Sequence, residues 1–247
     1  MYHFFVAPEQ IGEKEIMIEG SDVNHIGNVL RMHPGEQVML CTGQDERDYC
    51  CKITEITEEY IRTEILHVER SEAELPSRFY LFQGLPKSDK MELIIQKAVE
   101  LGVFQVIPVM TKRAVVKLDA KKEEAKKKRW NAISESAAKQ SKRMIIPEVT
   151  GVMRFREALE YAQHLDVRLI PYELAAGMDK TREIVSEIVP GQSVGIFVGP
   201  EGGFEDEEVE LALKMGVSPI TLGKRILRTE TAGMALLSVL MFQLEGK

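Results

Sequence analysis

The sequence predicts an α/β protein built on a mostly parallel sheet, preceded by a small β-rich domain. Three observations lead there. Short strand-like runs fill the first 70 residues, the last two with apolar residues at alternate positions. From residue 79 onward strand-like and helix-like runs alternate, the rhythm of a parallel sheet covered on both faces. Between the two lies SEAELPSR, residues 71–78, polar and interrupted by proline, which reads as a linker. With 247 residues, 44% hydrophobic and 29% charged, the chain can bury a full core and fits neither a disordered nor a collagen-like class.

The elements follow in order. Strands are expected over 2–7, 15–19, 36–42, 47–56 and 60–69, the last two with Ile53, Ile56, Ile61 and Ile65 in alternation. One helix interrupts them. It opens at Ser21 or Asp22, both good N-cap types, and carries Val23, Ile26, Val29 and Leu30 at helical spacing until MHPGE breaks it. Beyond the linker, strand-like FYLFQGL precedes a helix over 88–101, with Met91, Ile94, Ile95 and Ala98 on one face and Gly102 as its stop. VFQVIPVM reads as a strand and 119–141 as a long basic helix. Helix and strand pairs then fall at 154–164 and 167–171, 179–188 and 193–198, 206–215 and 217–222. The last helix, 231–244, contains AGMALLSVLMF and has no wet face, whereas a helix lying on one sheet needs only an apolar stripe. A second partner for it is implied, most simply another subunit. Thr229 or Thr231 is the expected cap.

Composition excludes several classes. The longest strongly apolar stretch, residues 232–242, is about half the ~20 residues of a membrane span, and MYHFFVAPEQ does not resemble a signal peptide. Neither export nor a membrane anchor is expected, so the cytoplasm is the default compartment. Cys41, Cys50 and Cys51 form no C-x-x-C and the five histidines are scattered, so no disulfide framework and no metal site is expected. The net charge of −7 is unevenly spread. Residues 1–70 carry 6 Lys+Arg against 14 Asp+Glu, while 86–143 carry 15 against 7, which makes the middle segment a candidate contact for a polyanion.

Ligands of open parallel sheets bind outside the carboxyl ends of strands, and two such ends are rich in glycine. After 193–198 come Gly199, Pro200, Glu201, Gly202 and Gly203, then the acidic run Glu205–Glu208 at a helix start. Glycines admit close backbone approach; the acidic run speaks against a phosphate there. After 217–222 a loop carries Gly223, Lys224, Arg225 and Arg228. Two loops at neighbouring strand ends make one pocket. No G-x-G-x-x-G follows a predicted strand, SPITLGKR fails the Walker pattern at both ends, and no Ser/His/Asp or Cys/His set is legible.

Five blocks in order, HIGNVLR, GLPKSDKMELIIQKAVELGV, WNAISESAAKQSKR, VGPEGGFEDEE and LGKRILRTETAGMALL, resemble the ribosomal RNA small-subunit methyltransferase E family. That family belongs to the SPOUT class of S-adenosylmethionine-dependent enzymes, and the resemblance covers nearly the whole chain. It implies a PUA-like RNA-binding domain over 1–72 and a SPOUT domain over 73–247 with a C-terminal trefoil knot. It also implies a homodimer that methylates N3 of one uridine in 16S ribosomal RNA of the small subunit. Carried over by position, Gly199, Pro200, Glu201, Gly202, Leu222, Gly223, Ile226 and Leu227 hold S-adenosylmethionine, with Tyr172 beside them. Arg228 is the expected catalytic cation, and Glu201 or Glu230 suits the sulfonium. His25, Arg31, Lys87, Lys90, Arg113 and Lys142 are the expected RNA contacts; Lys87 and Lys90 precede a helix, where a cation needs a partner charge. The base that deprotonates uridine is not legible. Glu205 stands where the family has Ser or Thr, and the chain lacks the arginine the family carries near its start. A ribosome-assembly factor that binds RNA without catalysis is the alternative reading.

Overall fold

The computed structural model describes residues 1–70, 73–116, 119–172 and 177–245. The chain divides into two compact units, one of Met1–Glu74 with Ala138–Ile146, the other of Leu75–Ala137 with the residues from Pro147 onward. A single break in the linker therefore does not describe it: residues 138–146, expected with the second domain, belong to the first unit. The start of that linker, 71–72, lies outside the described residues.

In the first unit β1 (Tyr2–Phe5), β2 (Glu15–Glu19), β3 (Gln37–Cys41), β4 (Arg47–Ile56) and β5 (Tyr60–Arg70) form a sheet in the order β1-β3-β4-β5-β2. Its pairings are antiparallel except for β1 with β3. Helix α1 (Ser21–Asn24) runs into a π-helical turn, His25–Val29. Alternation along the strands buries Ile16, Ile18, Val38, Leu40, Ile53 and Ile61 in one core with Val23 and Ile26. The cap is neither Ser21 nor Asp22. Gly20 takes that position at φ 78°, a conformation glycine adopts without steric cost. All three cysteines are free and buried; burial, aided by Asp48, pushes the Cys41 thiol up to about 12.

Residues 138–146 are held to this unit by a buried ion pair. The Arg143 guanidinium lies 2.6 Å from the Glu74 carboxylate, which also accepts the N–H groups of Met144 at 3.1 Å and Ile145 at 3.2 Å. The Arg143 and Glu74 side chains are 4% and 7% exposed. Removing one partner of such a pair costs about 3–5 kcal/mol, because the other charge is left buried alone.

The second unit contains β6 (Arg78–Gly84), α2 (Lys90–Glu100), β7 (Val103–Met110), most of α3 (Ala120–Ser141), β8 (Glu148–Val149), β9 (Met153–Arg154) and α4 (Phe155–Tyr161). Then follow β10 (Val167–Pro171), α5 (Met178–Ser186), β11 (Ser193–Val198), α6 (Asp206–Lys214), β12 (Ser218–Ile220) and α7 (Thr229–Leu244). The sheet runs β12-β10-β11-β6-β7-β8, with β9 also on β7, and every pairing is parallel. Its centre is aromatic. Phe82 stacks on Phe197 with ring centres 4.3 Å apart, and Phe155 meets Phe197 edge-on. Strands β8 and β9, two residues each, were not expected; they are too short to show a period. Helix α7 is capped by Arg228, not by Thr229 or Thr231, and the Thr229 hydroxyl turns elsewhere. Among the described residues no helix is long and apolar enough to cross a membrane, and no group of three or more potential metal ligands occurs.

Candidate functional site

A cleft of about 800 Å³ opens in the second unit at the carboxyl ends of β10, β11 and β12. It brings together Tyr172, Gly199, Pro200, Glu201, Gly202, Leu222, Gly223, Ile226, Leu227 and Arg228, along with Lys90 and Arg113. Lys87 is exposed just before α2. His25, Arg31 and Lys142 are exposed in the first unit, Arg31 at φ 54° and Lys142 at φ 59°.

One wall of the cleft, residues 199–204, is tied down at each step. The Thr229 hydroxyl donates to the Gly199 carbonyl at 2.6 Å and accepts Nε2 of buried Gln83 at 2.8 Å. Gly203 N–H donates to the Pro200 carbonyl at 2.8 Å, and Arg113 donates to the Gly202 carbonyl at 2.8 Å. A Cβ at Gly84 would lie 2.6 Å from Pro200 Cδ, and one at Gly199 would lie 3.0 Å from the Gly203 backbone. A side chain does not fit at Gly84 and is crowded against backbone at Gly199, so both glycines allow close approach. The other wall, 221–228, is looser. Thr221 Oγ1 accepts Gly223 N–H at 3.3 Å, Gly223 sits at φ 105°, and Lys224, Arg225 and Arg228 are exposed. Tyr172 is held at the end of β10 by its N–H to the Ile220 carbonyl, 2.9 Å.

Charge on the cleft wall is mostly matched within the protein. Lys90 Nζ lies 3.0 Å from Glu201 and 3.5 Å from Glu230. The polyanion expected to balance Lys90 is thus replaced by two carboxylates of its own chain. The hydrogen bond to Glu201 holds the Lys90 ammonium above its ordinary range. Partial burial alone would raise the Glu201 carboxyl; hydrogen bonds from its own backbone N–H, from Lys90 and from the Lys87 N–H outweigh it and bring it down. Arg113 pairs with Glu205 at 2.9 Å, which lowers the Glu205 carboxyl. Glu205 is the N-cap of α6, yet its side chain faces Arg113, while Glu208 accepts the N–H groups of Glu205 and Lys112, each at 2.9 Å. On α2, Lys97 pairs with Glu100 at 2.8 Å.

Three residues of this architecture were missed in the sequence: Gln83, Gly84 and the tie made by Thr229. One signal was available, a lone polar side chain at the carboxyl end of the apolar run FYLFQGL.

A family model described as an RNA methyltransferase domain matches residues 73–241, and one described as an RNA methyltransferase PUA domain matches residues 18–66. Fold and cleft thus define an RNA methyltransferase with an appended PUA domain. The chain is 38% identical to ribosomal RNA small subunit methyltransferase E of Bacillus subtilis (strain 168), over 99% of this chain and 96% of that protein. The crystal structure of ribosomal RNA small subunit methyltransferase E from Neisseria gonorrhoeae, bound to S-adenosyl methionine, superposes with a TM-score of 0.84 at 31% identity. It covers 98% of this chain and 97% of that one. A methyltransferase from Legionella pneumophila in complex with the same cofactor gives 0.82 at 31%, over 97% and 96%. The chain belongs to the ribosomal RNA small subunit methyltransferase E family.

Proposed function

We propose that the chain transfers the methyl group of S-adenosylmethionine to N3 of one uridine in the 16S ribosomal RNA of the small subunit, in the cytoplasm and as a homodimer. The observation that carries this reading is the one cleft on which the two glycine loops converge. Its size is that of sites for drug-sized ligands. The cofactor fits the residues present: glycines 199, 202 and 223 admit its adenosine against the backbone, and the carboxylates of Glu201 and Glu230 suit a cation. Gly199, Pro200, Glu201, Gly202, Leu222, Gly223, Ile226 and Leu227 hold it, with Tyr172 at the side.

S-adenosylmethionine supplies a methyl group already activated on sulfur. The protein's work is to orient and to manage a proton. Fixing the uracil N3 in line with the methyl carbon converts an encounter into an intramolecular step. N3 must also lose its proton, and Arg228 at the start of α7 stabilises the negative charge left on the uracil. Residues 1–72 serve RNA binding and 73–247 catalysis, with Lys142 adding positive charge to the acidic first unit. His25, whose ring centre lies 6.2 Å from that of Phe4, Arg31, Lys87 and Arg113 complete the RNA contacts. They position the backbone and do not read sequence. Lys90 belongs with them; it and Arg113 are both paired within the chain, to Glu201 and Glu205, and reach RNA by exchanging those partners.

Two features support the finer points. Val239 and Phe242 of α7 are 50% and 85% exposed, as expected of a helix that packs on a second copy. From edge strand β12 the chain returns across the end of β11, where Thr229 is bonded to Gly199, a path that supports the trefoil knot. The alternative, a non-catalytic assembly factor, is not favoured, because such a protein has no use for a preserved cleft. Calorimetry with S-adenosylmethionine and modification mapping of 16S ribosomal RNA from cells lacking the protein test the reading. Binding and loss of N3-methyluridine are expected; no heat, or an unchanged modification, would refute it.

A further inference from the structure

Gln83, the last residue but one of β6, is fully buried behind the cleft. Its Nε2 donates to the Gly84 carbonyl at 3.0 Å and to the Thr229 hydroxyl at 2.8 Å, whereas its Oε1 is buried and has no hydrogen-bond partner among the described residues. A buried acceptor without a donor carries a cost that an apolar side chain of the same length avoids. Stability alone therefore explains this amide poorly. The direction of its hydrogen bonds explains it better. Both partners lie at one end of the amide, and since the Gly84 carbonyl accepts and never donates, that end is the nitrogen. The Thr229 oxygen then receives a hydrogen from Gln83, and its own single hydrogen is left for the Gly199 carbonyl at 2.6 Å. The path from Gln83 through Thr229 to Gly199 has one polarity, fixed by a carbonyl at each end. A hydroxyl is otherwise free to rotate; this one is set from behind.

We propose that Gln83 is a positioning residue for methyl transfer: by orienting the Thr229 hydroxyl it holds the loop at Gly199 and the Arg228 end of α7 as one piece. Gly199, Arg228 and Thr229 line the cleft, and Gln83 does not, so it acts through Thr229. Thr229 is the first residue of α7 and directly follows Arg228, the cap of that helix. The inference rests on the reading of the cleft as an S-adenosylmethionine site with Arg228 at the uracil. On that reading the donor lies against Gly199 and the acceptor against Arg228, and the line from the methyl carbon to N3 depends on how these two residues are placed. A Thr229 hydroxyl turned away from Gly199 lets the loop and the helix start shift apart, and a misplacement of about 1 Å costs about a hundredfold in rate.

The test uses the full-length protein and three readouts: thermal melting, calorimetry with S-adenosylmethionine, and the rate of methyl transfer at saturating donor to small ribosomal subunits from cells lacking the protein. Gln83→Met, apolar and of equal length, is expected to melt at the wild-type temperature or above it, to weaken the donor by less than about fivefold and to lower kcat by about a hundredfold. Thr229→Val is expected to lower kcat at least as much, and Thr229→Ser, which keeps the hydroxyl, to restore most of that loss. The double variant Gln83→Met with Thr229→Val is expected to be no slower than Thr229→Val alone, because the amide acts through that hydroxyl. Wild-type kcat in Gln83→Met, a Gln83→Met protein that melts lower or fails to fold, or losses that multiply in the double variant, each overturn the positioning role and leave the cofactor site standing. A wild-type protein that binds no donor, or that methylates no ribosomal RNA, overturns the reading of the cleft itself, and the positioning role with it.

Discussion

The two walls of the cleft are built in opposite ways. Residues 199–204 are fixed by four hydrogen bonds and by a gap at Gly84 that no side chain fits. Residues 221–228 carry few such ties and leave Ile226 90% exposed. A wall set before the ligand arrives needs no ordering on binding, and it lowers the entropic cost of association.

That contrast can be broken at its strongest point first. Gly84→Val places a Cβ 2.6 Å from Pro200 Cδ and 2.7 Å from its nitrogen, and backbone must move. Overpacking of this kind costs about 1–3 kcal/mol or more, and displacement of the wall is expected to abolish cofactor binding in calorimetry while the protein still melts cooperatively. Thr229→Val comes next. It leaves the partly buried Gly199 carbonyl without its donor and Gln83 Nε2 with the Gly84 carbonyl alone, at about 1–3 kcal/mol in all, and a drop in melting temperature that Thr229→Ser restores is expected. A smaller effect belongs to the loose wall. Gly223→Ala meets no atom within 4 Å, so its cost is the strain of φ 105° alone, about 1–3 kcal/mol, read in cofactor affinity more than in melting temperature. Ile226→Ala should be smallest, within about 0.5 kcal/mol of wild-type stability for an isolated chain. If it instead shifts the sedimentation profile toward monomer, the exposed side chain is an interface residue and the looseness of this wall ends in the dimer.

Much of this was legible in the sequence, for reasons that local chemistry explains. Short strand-like runs, the last two of them alternating, located all five strands of the first unit, and glycine at strand ends located both walls of the cleft. The caps were misread because Gly20 owes its place to a positive φ and Thr229 spends its hydroxyl on Gly199; neither follows from side-chain type. The pairing of Lys90 was not legible because its partners, Glu201 and Glu230, are more than a hundred residues away, and no local pattern records an ion pair of that span. The return of 138–146 to the first unit was hidden for the same reason. Within α3 the helical period continues without a break across the boundary between the units.

That return sets an order of events on the ribosome. Glu74 emerges early, but the guanidinium that buries it belongs to residue 143, and the N–H groups of residues 144 and 145 follow. At ordinary rates of synthesis the nascent amino-terminal sheet waits on the order of ten seconds for its last segment. Residues 75–137 of the second unit are made in that interval, so the amino-terminal unit cannot close until part of its neighbour has already been synthesised, although it still holds all of its own residues before the second unit does.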